Sequence, residues 1–132
     1  MDEPGFIKLN LDDVDDGTDP VPAGIHLCRV KNAVQKHKQD SEYPYIQVTL
    51  TPLDTEEKFQ RRGLLLTLSF HPQALWNMKQ FMTKARVPHG ADGFHVGDFI
   101  GRELYVTVKH KPDPNDPAAI RAEVSPPYTV AS

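Results

Sequence analysis

Residues 45–54 read YIQVTLTPLD and contain the clearest strand pattern of the chain. Apolar and polar side chains alternate through this stretch, with Ile46, Val48 and Leu50 in the apolar set. Alternation with a period of two is typical of a strand that has one face on the core and one face in water. The stretch therefore predicts a half-buried strand that turns its apolar set inward and leaves Tyr45 on the outer face.

Strand patterns also flank this stretch on both sides. Before it, residues 25–34 (IHLCRVKNAV) predict a first strand, and after it, residues 64–71 (LLLTLSFH) predict a third. One face of the first strand carries two full charges, at Arg29 and Lys31. Because charged side chains are rarely buried, the opposite face is expected to contact the core. That face contains His26, Cys28, Val30 and Asn32.

The hydrophobic period changes in residues 71–88, which read HPQALWNMKQFMTKARVP. Apolar residues recur here at spacings of three and four, as in the stripe of an amphipathic helix. This stripe contains Leu75, Met78, Met82 and Ala85, with Phe81 beside it. Pro72 suits the first turn of a helix and Pro88 ends the pattern. The sequence therefore predicts a helix over about residues 72–86, with Trp76 at the edge of the core.

Two further strand patterns follow the helix, in residues 104–111 (LYVTVKHK) and 118–125 (AAIRAEVS). The closing residues 126–132 (PPYTVAS) are expected to form a short tail. The predicted order is three strands, one helix and two strands, which is the connectivity of the OB-fold. The predicted fold class is therefore mainly β, a five-stranded OB-like Greek-key barrel with one α-helix between strands 3 and 4. An open sheet with a packed helix is the alternative.

Length and composition restrict the class of protein. The chain of 132 residues suits a single domain with one core. It contains no apolar run of about 18 residues, which a membrane-spanning helix requires, and its first residues lack a secretory signal pattern. A cytoplasmic protein without a membrane partner is therefore expected. The single cysteine, Cys28, excludes an internal disulfide and leaves too few thiolates for a structural zinc site.

The net charge of −3 is unevenly distributed along the chain. Residues 1–20 contain seven acids and one lysine, a net charge of −6, whereas residues 21–132 contain 14 Lys and Arg against 11 acids, a net charge of +3. We therefore expect an acidic N-terminal arm (1–20) and a mildly basic OB-like nucleic-acid-binding domain (21–132). The arm does not match a calcium-binding loop, because Ala23 stands where the twelfth-position glutamate would be when counting from Asp12.

The sequence contains none of the common motifs of catalysis or cofactor binding. It has no HExxH pair, no phosphate-binding loop, no GxGxxG and no GxSxG elbow. Its six histidines are spread along the chain and do not form a short metal-binding group. We therefore expect a protein that is not an enzyme and has no catalytic residues, no metal and no cofactor.

The bases and aromatics lie where an OB-fold binds oligonucleotides. Strands 2 and 3 and the loops joining strands 1 to 2 and 4 to 5 form that surface. Single-stranded DNA offers phosphates to Lys and Arg and exposed bases to aromatic rings. Packing over the end of the barrel is the alternative for the two tyrosines that begin the second strand. The candidate nucleic-acid-binding residues are Arg29, Lys31, Lys36, Lys38, Tyr43, Tyr45, Gln47, Arg61, Arg62, Tyr105, Lys109 and Lys111.

Four segments resemble a family of small bacteriophage proteins. They are VPAGIHLCRV (21–30), YPYIQVTL (43–50), ALWNMKQFM (74–82) and FIGRELYVTV (99–108). The family, long uncharacterised, occurs with phage replication and recombination genes and is regarded as OB-fold single-stranded DNA-binding proteins. The resemblance covers about residues 20–130. It implies a non-catalytic protein that protects or organises single-stranded DNA with little sequence preference.

The chain departs from this class of protein at its ends. Single-stranded DNA-binding proteins often end in an acidic tail that recruits partners, whereas this chain ends in the uncharged PPYTVAS and has its acids in the N-terminal arm. The arm is therefore expected either to compete with DNA for the basic surface or to dock a replication or recombination protein.

Other functions stay open on the sequence alone. Ile25 and Leu65 are apolar on predicted outer faces and favour a structural or protein-interaction module, such as a virion component or an assembly adaptor. An RNA-binding protein is a further alternative, because the OB-fold accepts either nucleic acid. A homo-oligomer is compatible with each of these functions.

Overall fold

The computed structural model describes residues 20–40, 42–113 and 115–131. The predicted acidic arm therefore lies outside the described residues, except for Pro20. Five antiparallel strands make up one sheet: β1 (Gly24–Lys36), β2 (Tyr45–Pro52), β3 (Leu64–Ser69), β4 (Glu103–Asp113) and β5 (Asp116–Val130).

The strand order β3-β2-β1-β4-β5 leaves β3 and β5 at the two edges of the sheet. Residues of these edge strands come within 8 Å of one another, measured between Cα atoms. Among the residues described, no ladder of hydrogen bonds joins the two edges, so the sheet curls toward a barrel without closing. The predicted class, mainly β and OB-like with five strands, is confirmed.

The core lies inside the curled sheet and follows the alternation of the strands. In β2, Ile46, Val48 and Leu50 are buried and the residues between them are half-exposed, as the sequence predicts. The same alternation buries Leu64, Leu66 and Leu68 of β3 and Leu104, Val106 and Val108 of β4. These side chains stabilise the fold by the removal of apolar area from water.

A β-bulge changes the phase of β1. Val30 pairs with Leu50 but Asn32 pairs with Thr49, so Lys31 is the extra residue. A bulge shifts the alternation by one position, and beyond it Ala33 is buried while Asn32 is exposed. The prediction that Asn32 faces the core is therefore wrong, because it assumed unbroken alternation along the strand.

The helix predicted between strands 3 and 4 is present. A 3-10 turn, Pro72–Ala74, leads into α2 (Leu75–Lys84), which buries Met78, Phe81 and Met82. Pro72 occupies the first turn, where a missing N–H costs nothing. Trp76 was expected at the edge of the core, but it is 58% exposed because it lies on the outer side of α2. A second 3-10 turn, Val96–Phe99, precedes β4.

A short helix that the sequence did not predict joins β2 to β3. This helix, α1 (Glu57–Arg62), ends at Gly63, which has a φ of 72°. A Cβ at this glycine would lie 3.0 Å from the carbonyl oxygen of Leu50. Glycine therefore fits here for two reasons, the left-handed backbone and the close approach of β2.

The predicted tail is instead the last part of β5. The strand continues through Pro126 and Pro127 to Val130, and Tyr128 is buried. The tail prediction is wrong because an edge strand tolerates proline, which cannot donate a hydrogen bond to a ladder. Tyr128 donates a hydrogen bond of 2.7 Å from its hydroxyl to Oδ1 of Asn77, and its ring packs edge-on against Phe81. These contacts attach α2 to the edge of the sheet.

None of the helices that the described residues form is both long and apolar enough to cross a bilayer.

Candidate nucleic-acid interface

The outer face of β1, β2 and β3 presents polar side chains in rows across the strands. Lys36 pairs with Tyr45, which pairs with Ser69, and this row ends next to the loop that joins β1 to β2. The next row contains Val34, Gln47 and Thr67. The predicted binding residues Lys36, Tyr45 and Gln47 therefore occupy one continuous surface.

The loop between β1 and β2 adds basic and aromatic side chains to this surface. The Lys38 ammonium lies 5.9 Å from the centre of the Tyr45 ring, a distance typical of a cation–π contact. The Tyr43 ring packs edge-on against His71, with ring centres 5.0 Å apart. We call Lys36, Lys38, Tyr43, Tyr45 and His71 the loop cluster.

His71 was not among the binding residues predicted from the sequence. The pairing of β2 with β3 indicates this role for His71, because an antiparallel pairing places the end of β3 beside the start of β2. The backbone N–H of Phe70 donates a hydrogen bond of 3.0 Å to the carbonyl oxygen of Pro44, and this bond brings His71 to Tyr43. The His71 ring is further fixed because its Nδ1 accepts a hydrogen bond from the backbone N–H of Gln73.

The two lysines of the loop cluster are accessible to a ligand. Lys36 and Lys38 are exposed, and in the described part of the chain no ion pair joins either of them to a carboxylate. Asp40 and Glu42 belong to the same loop and are exposed as well. The loop cluster therefore combines two unpaired cations with two half-exposed tyrosine rings.

The predicted bases Lys109 and Lys111, next to the loop between β4 and β5, form a second basic cluster that is partly neutralised. On the outer face of β4, Lys111 forms an ion pair of 3.1 Å with Glu123 of β5, whereas Lys109 is exposed and forms none with the described acids. The guanidinium of Arg29 donates two hydrogen bonds, of 3.0 and 3.1 Å, to one carboxylate oxygen of Glu103. These carboxylates reduce the positive potential on this part of the sheet.

The two basic clusters lie at opposite ends of β1. Gly24, at the start of β1, pairs with Val108, whereas Lys36, at its end, pairs with Tyr45. At about 3.3 Å per residue, a straight strand of this length spans roughly 40 Å. Tyr105 lies between the two ends, paired with Leu27, and Lys31 lies at the bulge. The clusters therefore flank the outer face and do not meet.

The predicted bases between β2 and β3 lie on α1. Arg61 forms an i,i+4 ion pair of 3.1 Å with Glu57. The Arg62 guanidinium lies 5.8 Å from the ring centre of the buried Phe59. Since α1 follows the end of β2 and the loop cluster lies at its start, the structure does not bring Arg61 and Arg62 to the loop cluster.

The buried thiol and the neighbouring histidine have structural contacts. Burial, with a smaller contribution from the charge of Asp54, raises the pKa of Cys28 to about 12. The thiol therefore stays protonated and is a poor nucleophile. His26 is bonded through Nδ1 to the Asp54 carboxylate at 2.9 Å and through Nε2 to the carbonyl oxygen of Pro22 at 2.6 Å. The residues described contain no group of three or more His, Cys, Asp or Glu side chains that could hold a metal ion.

A comparison of the sequence with protein-family models and with curated proteins finds no match. The resemblance to the phage family stays a prediction.

Proposed function

We propose that this protein binds single-stranded DNA without catalysis and with little sequence preference. The observation that supports this function best is the loop cluster, in which Lys36 and Lys38 lie beside the half-exposed rings of Tyr43 and Tyr45. Proteins that bind single strands non-specifically combine a cationic track for phosphates with aromatic rings on which bases stack. The cluster offers both features within one row of the sheet and its adjoining loop.

The outer face would continue the track from the loop cluster. Gln47, Thr49 and Thr67 offer uncharged donors and acceptors that suit any base. Lys31 at the bulge and Lys109 on β4 add positive charge further along the face. A duplex would bind less well, because its bases are stacked inside and cannot reach the tyrosine rings.

This biochemical function fits a phage protein that protects or organises single strands during replication or recombination in the host cytoplasm. The acidic arm would then compete with DNA or dock a partner protein of that machinery. The sequence resemblance and the charge of −6 in residues 1–20 support these two roles.

A protein-interaction module is the second candidate, since Ile25 and Leu65 are 66% and 62% exposed. Their positions weaken this candidate, because Ile25 pairs with Thr107 of β4 and Leu65 pairs with Thr49 of β2. Ile25 lies at the start of β1, whereas Leu65 lies two strands away and is aligned through Thr49 with Asn32, so the two apolar side chains are not adjacent. Single exposed apolar residues are common on soluble domains, whereas docking surfaces are contiguous.

Fluorescence anisotropy of a labelled oligo-dT tests the proposal directly. An oligonucleotide of about 30 bases is long enough, since an OB-type domain covers roughly 4–16 nucleotides. We expect binding that is tighter than to a duplex of equal length and that weakens with salt, with a log–log slope of about −0.7 for each phosphate contact. Absence of binding at low salt by a folded protein would contradict the proposal. An oligo-U of equal length distinguishes DNA from RNA as the preferred strand.

A lysine variant and a matched control locate the site. Replacing Lys36 and Lys38 by alanine is expected to weaken binding and to reduce the salt slope by roughly 1.4, the sum for two phosphate contacts. Lys84, in the last turn of α2, lies outside the outer face and serves as the control lysine. Equal losses in the Lys36/Lys38 double variant and in Lys84→Ala would indicate a diffuse charge effect and would move the site away from the loop cluster.

A further inference from the structure

A groove lies between α2 and the loop of residues 88–95. It has a volume of about 630 Å³ and is lined mainly by apolar side chains, among them Leu75, Trp76 and Phe94. Trp76 is 58% exposed and Phe94 is 39% exposed, so both rings are accessible from solvent. Trp76 lies outside the core, since α2 buries Met78, Phe81 and Met82 instead, whereas Phe94 contacts the buried Phe99 with ring centres 5.9 Å apart and leaves part of its ring exposed.

The groove is continuous with the loop cluster. Phe94 packs edge-on against Phe70, with ring centres 6.5 Å apart. Phe70 directly precedes His71, and its backbone N–H is bonded to the carbonyl oxygen of Pro44, between the two tyrosines of the cluster. Phe70 and Phe94 therefore join the end of β3, where the loop cluster lies, to the loop that lines the groove.

The charge around the groove favours a polyanion. No Asp or Glu belongs to the described lining of the groove, although the whole chain has a net charge of −3. Within the groove, Lys79 is the one Lys or Arg in the described lining, and His89 is the one histidine. Asp92 follows in the same loop but does not line the groove. An apolar groove with one lysine and no described acid in its lining suits nucleobases joined by phosphates better than an acidic or purely apolar peptide.

We propose that a single strand bound at the loop cluster continues into this groove, where bases stack on Trp76 and Phe94 and Lys79 neutralises a phosphate. This inference rests on the proposed function and extends its site by a second stacking platform. Base stacking on aromatic rings tolerates any sequence, because every base has a π-face. The extension therefore raises affinity and lengthens the binding site without adding sequence preference.

The chain contains a single tryptophan, so its fluorescence reports on the groove alone. We expect oligo-dT of about 30 bases to quench this fluorescence in parallel with the anisotropy of a dye-labelled strand, since stacked bases quench the indole. An oligonucleotide with abasic sites throughout should bind by its phosphates and quench much less. Equal quenching by both oligonucleotides would contradict stacking on Trp76.

Substitution gives an independent measure. Trp76→Ala is expected to weaken oligo-dT binding about 5- to 150-fold, the range for losing one stacked base, whereas Trp76→Phe should retain most of the affinity. Ile100→Ala removes another exposed apolar side chain, which does not line the groove, and should leave binding unchanged. Circular dichroism establishes that each variant is folded, as the exposure of Trp76 predicts.

The outcomes separate this inference from the proposed function. Normal binding with no quenching and no effect of Trp76→Ala would overturn the inference and leave the loop cluster as the whole site. Absence of any binding by the folded wild-type protein would overturn both. Quenching together with a loss of affinity in Trp76→Ala would establish the groove as part of the site.

Discussion

Nε2 of His110 donates a hydrogen bond of 2.8 Å to the carbonyl oxygen of Val21. Together with the bond from His26 to Pro22, this contact holds the chain against the sheet just before β1 begins. Lys109 and Lys111 flank His110 in β4 and lie on the outer face. Residues 1–19, which carry a net charge of −6, are therefore joined to the domain beside its second basic cluster.

This junction predicts that the acidic segment weakens DNA binding. Deleting residues 1–19 should tighten the binding of oligo-dT roughly three- to tenfold at low salt, because a covalently attached polyanion competes with DNA for the same cations. The gain should shrink as salt is added, since screening reduces both interactions. Anisotropy titrations of the two proteins across a salt series measure both effects.

A full-length control separates charge from length. Replacing Asp12, Asp13, Asp15 and Asp16 by asparagine keeps the segment but removes most of its charge. This variant should bind like the deleted protein. Unchanged affinity in both proteins at low salt would exclude competition and would favour docking of a partner protein as the role of the segment.

The ion pair between Arg29 and Glu103 predicts an unequal effect of two substitutions. Glu103 holds the Arg29 guanidinium at 3.0 Å, so the cation is not free for a phosphate. Glu103→Gln should therefore strengthen oligo-dT binding by a few-fold, whereas Arg29→Ala should weaken it less than Lys36→Ala does. Anisotropy at low salt compares the three proteins. A larger loss for Arg29→Ala than for Lys36→Ala would mean that DNA displaces Glu103.

The strands and the main helix could be predicted because their signals are local. The alternation of β2 and the three-and-four spacing of α2 directly reflect which side chains leave water. The sequence pattern assigned a residue to the wrong face of a strand where the backbone departs from ideal geometry. The bulge at Lys31 exchanges the roles of Asn32 and Ala33, and this change depends on the pairing with β2, which a single strand does not reveal.

The errors at β5 and α1 have tertiary causes. Tyr128 is buried because α2 provides Asn77 and Phe81 as partners, so the strand continues through two prolines that otherwise indicate a tail. The six-residue stretch around Phe59 forms a helix because this ring is buried under the end of β2. Neither contact could be derived from a pattern within the segment itself.

The candidate site could be predicted only in part for the same reason. Lys36, Lys38 and Tyr45 lie close in sequence, and the structure brings them together on one surface. His71 and Phe94 were not selected, because they reach the surface through the pairing of β2 with β3 and through the contact of Phe94 with Phe70. Those two residues can be identified only when the pairing of the strands and the contacts between the rings are known.

The hydrogen bond between Tyr128 and Asn77 predicts a loss of stability without a loss of fold. Tyr128→Phe keeps the ring that packs against Phe81 and removes only the hydroxyl. The free energy of unfolding should fall by about 1 kcal/mol, the usual net value of such a bond. Urea denaturation measures it. Tyr105→Phe, at a half-exposed ring of β4, is the matched control and should change stability by less than about 0.5 kcal/mol. Equal effects of the two substitutions would contradict a specific role for the Asn77 contact.

The buried thiol of Cys28 predicts a loss of stability at alkaline pH. Burial, aided by the charge of Asp54, raises its pKa from an ordinary value of 9.0 to about 12. Below pH 9 the thiol is protonated in both the folded protein and the unfolded chain, so the stability that the buried thiol contributes is fully retained. Between these two pKa values the unfolded chain loses the proton while the folded protein keeps it. The free energy of unfolding should therefore fall by up to about 1.4 kcal/mol per pH unit in this window.

Cys28→Ala identifies this contribution. The substitution creates a small cavity and lowers stability at every pH, but it should reduce the slope of stability against pH above pH 9. Tyr128, whose pKa burial raises from 10.0 to about 12, retains a smaller slope of its own at the upper end of the window. Urea denaturation of both proteins at about pH 8 and about pH 10.5 gives the two slopes. Identical slopes would show that the thiol ionises as easily in the folded protein as in the unfolded chain, which the burial of Cys28 argues against.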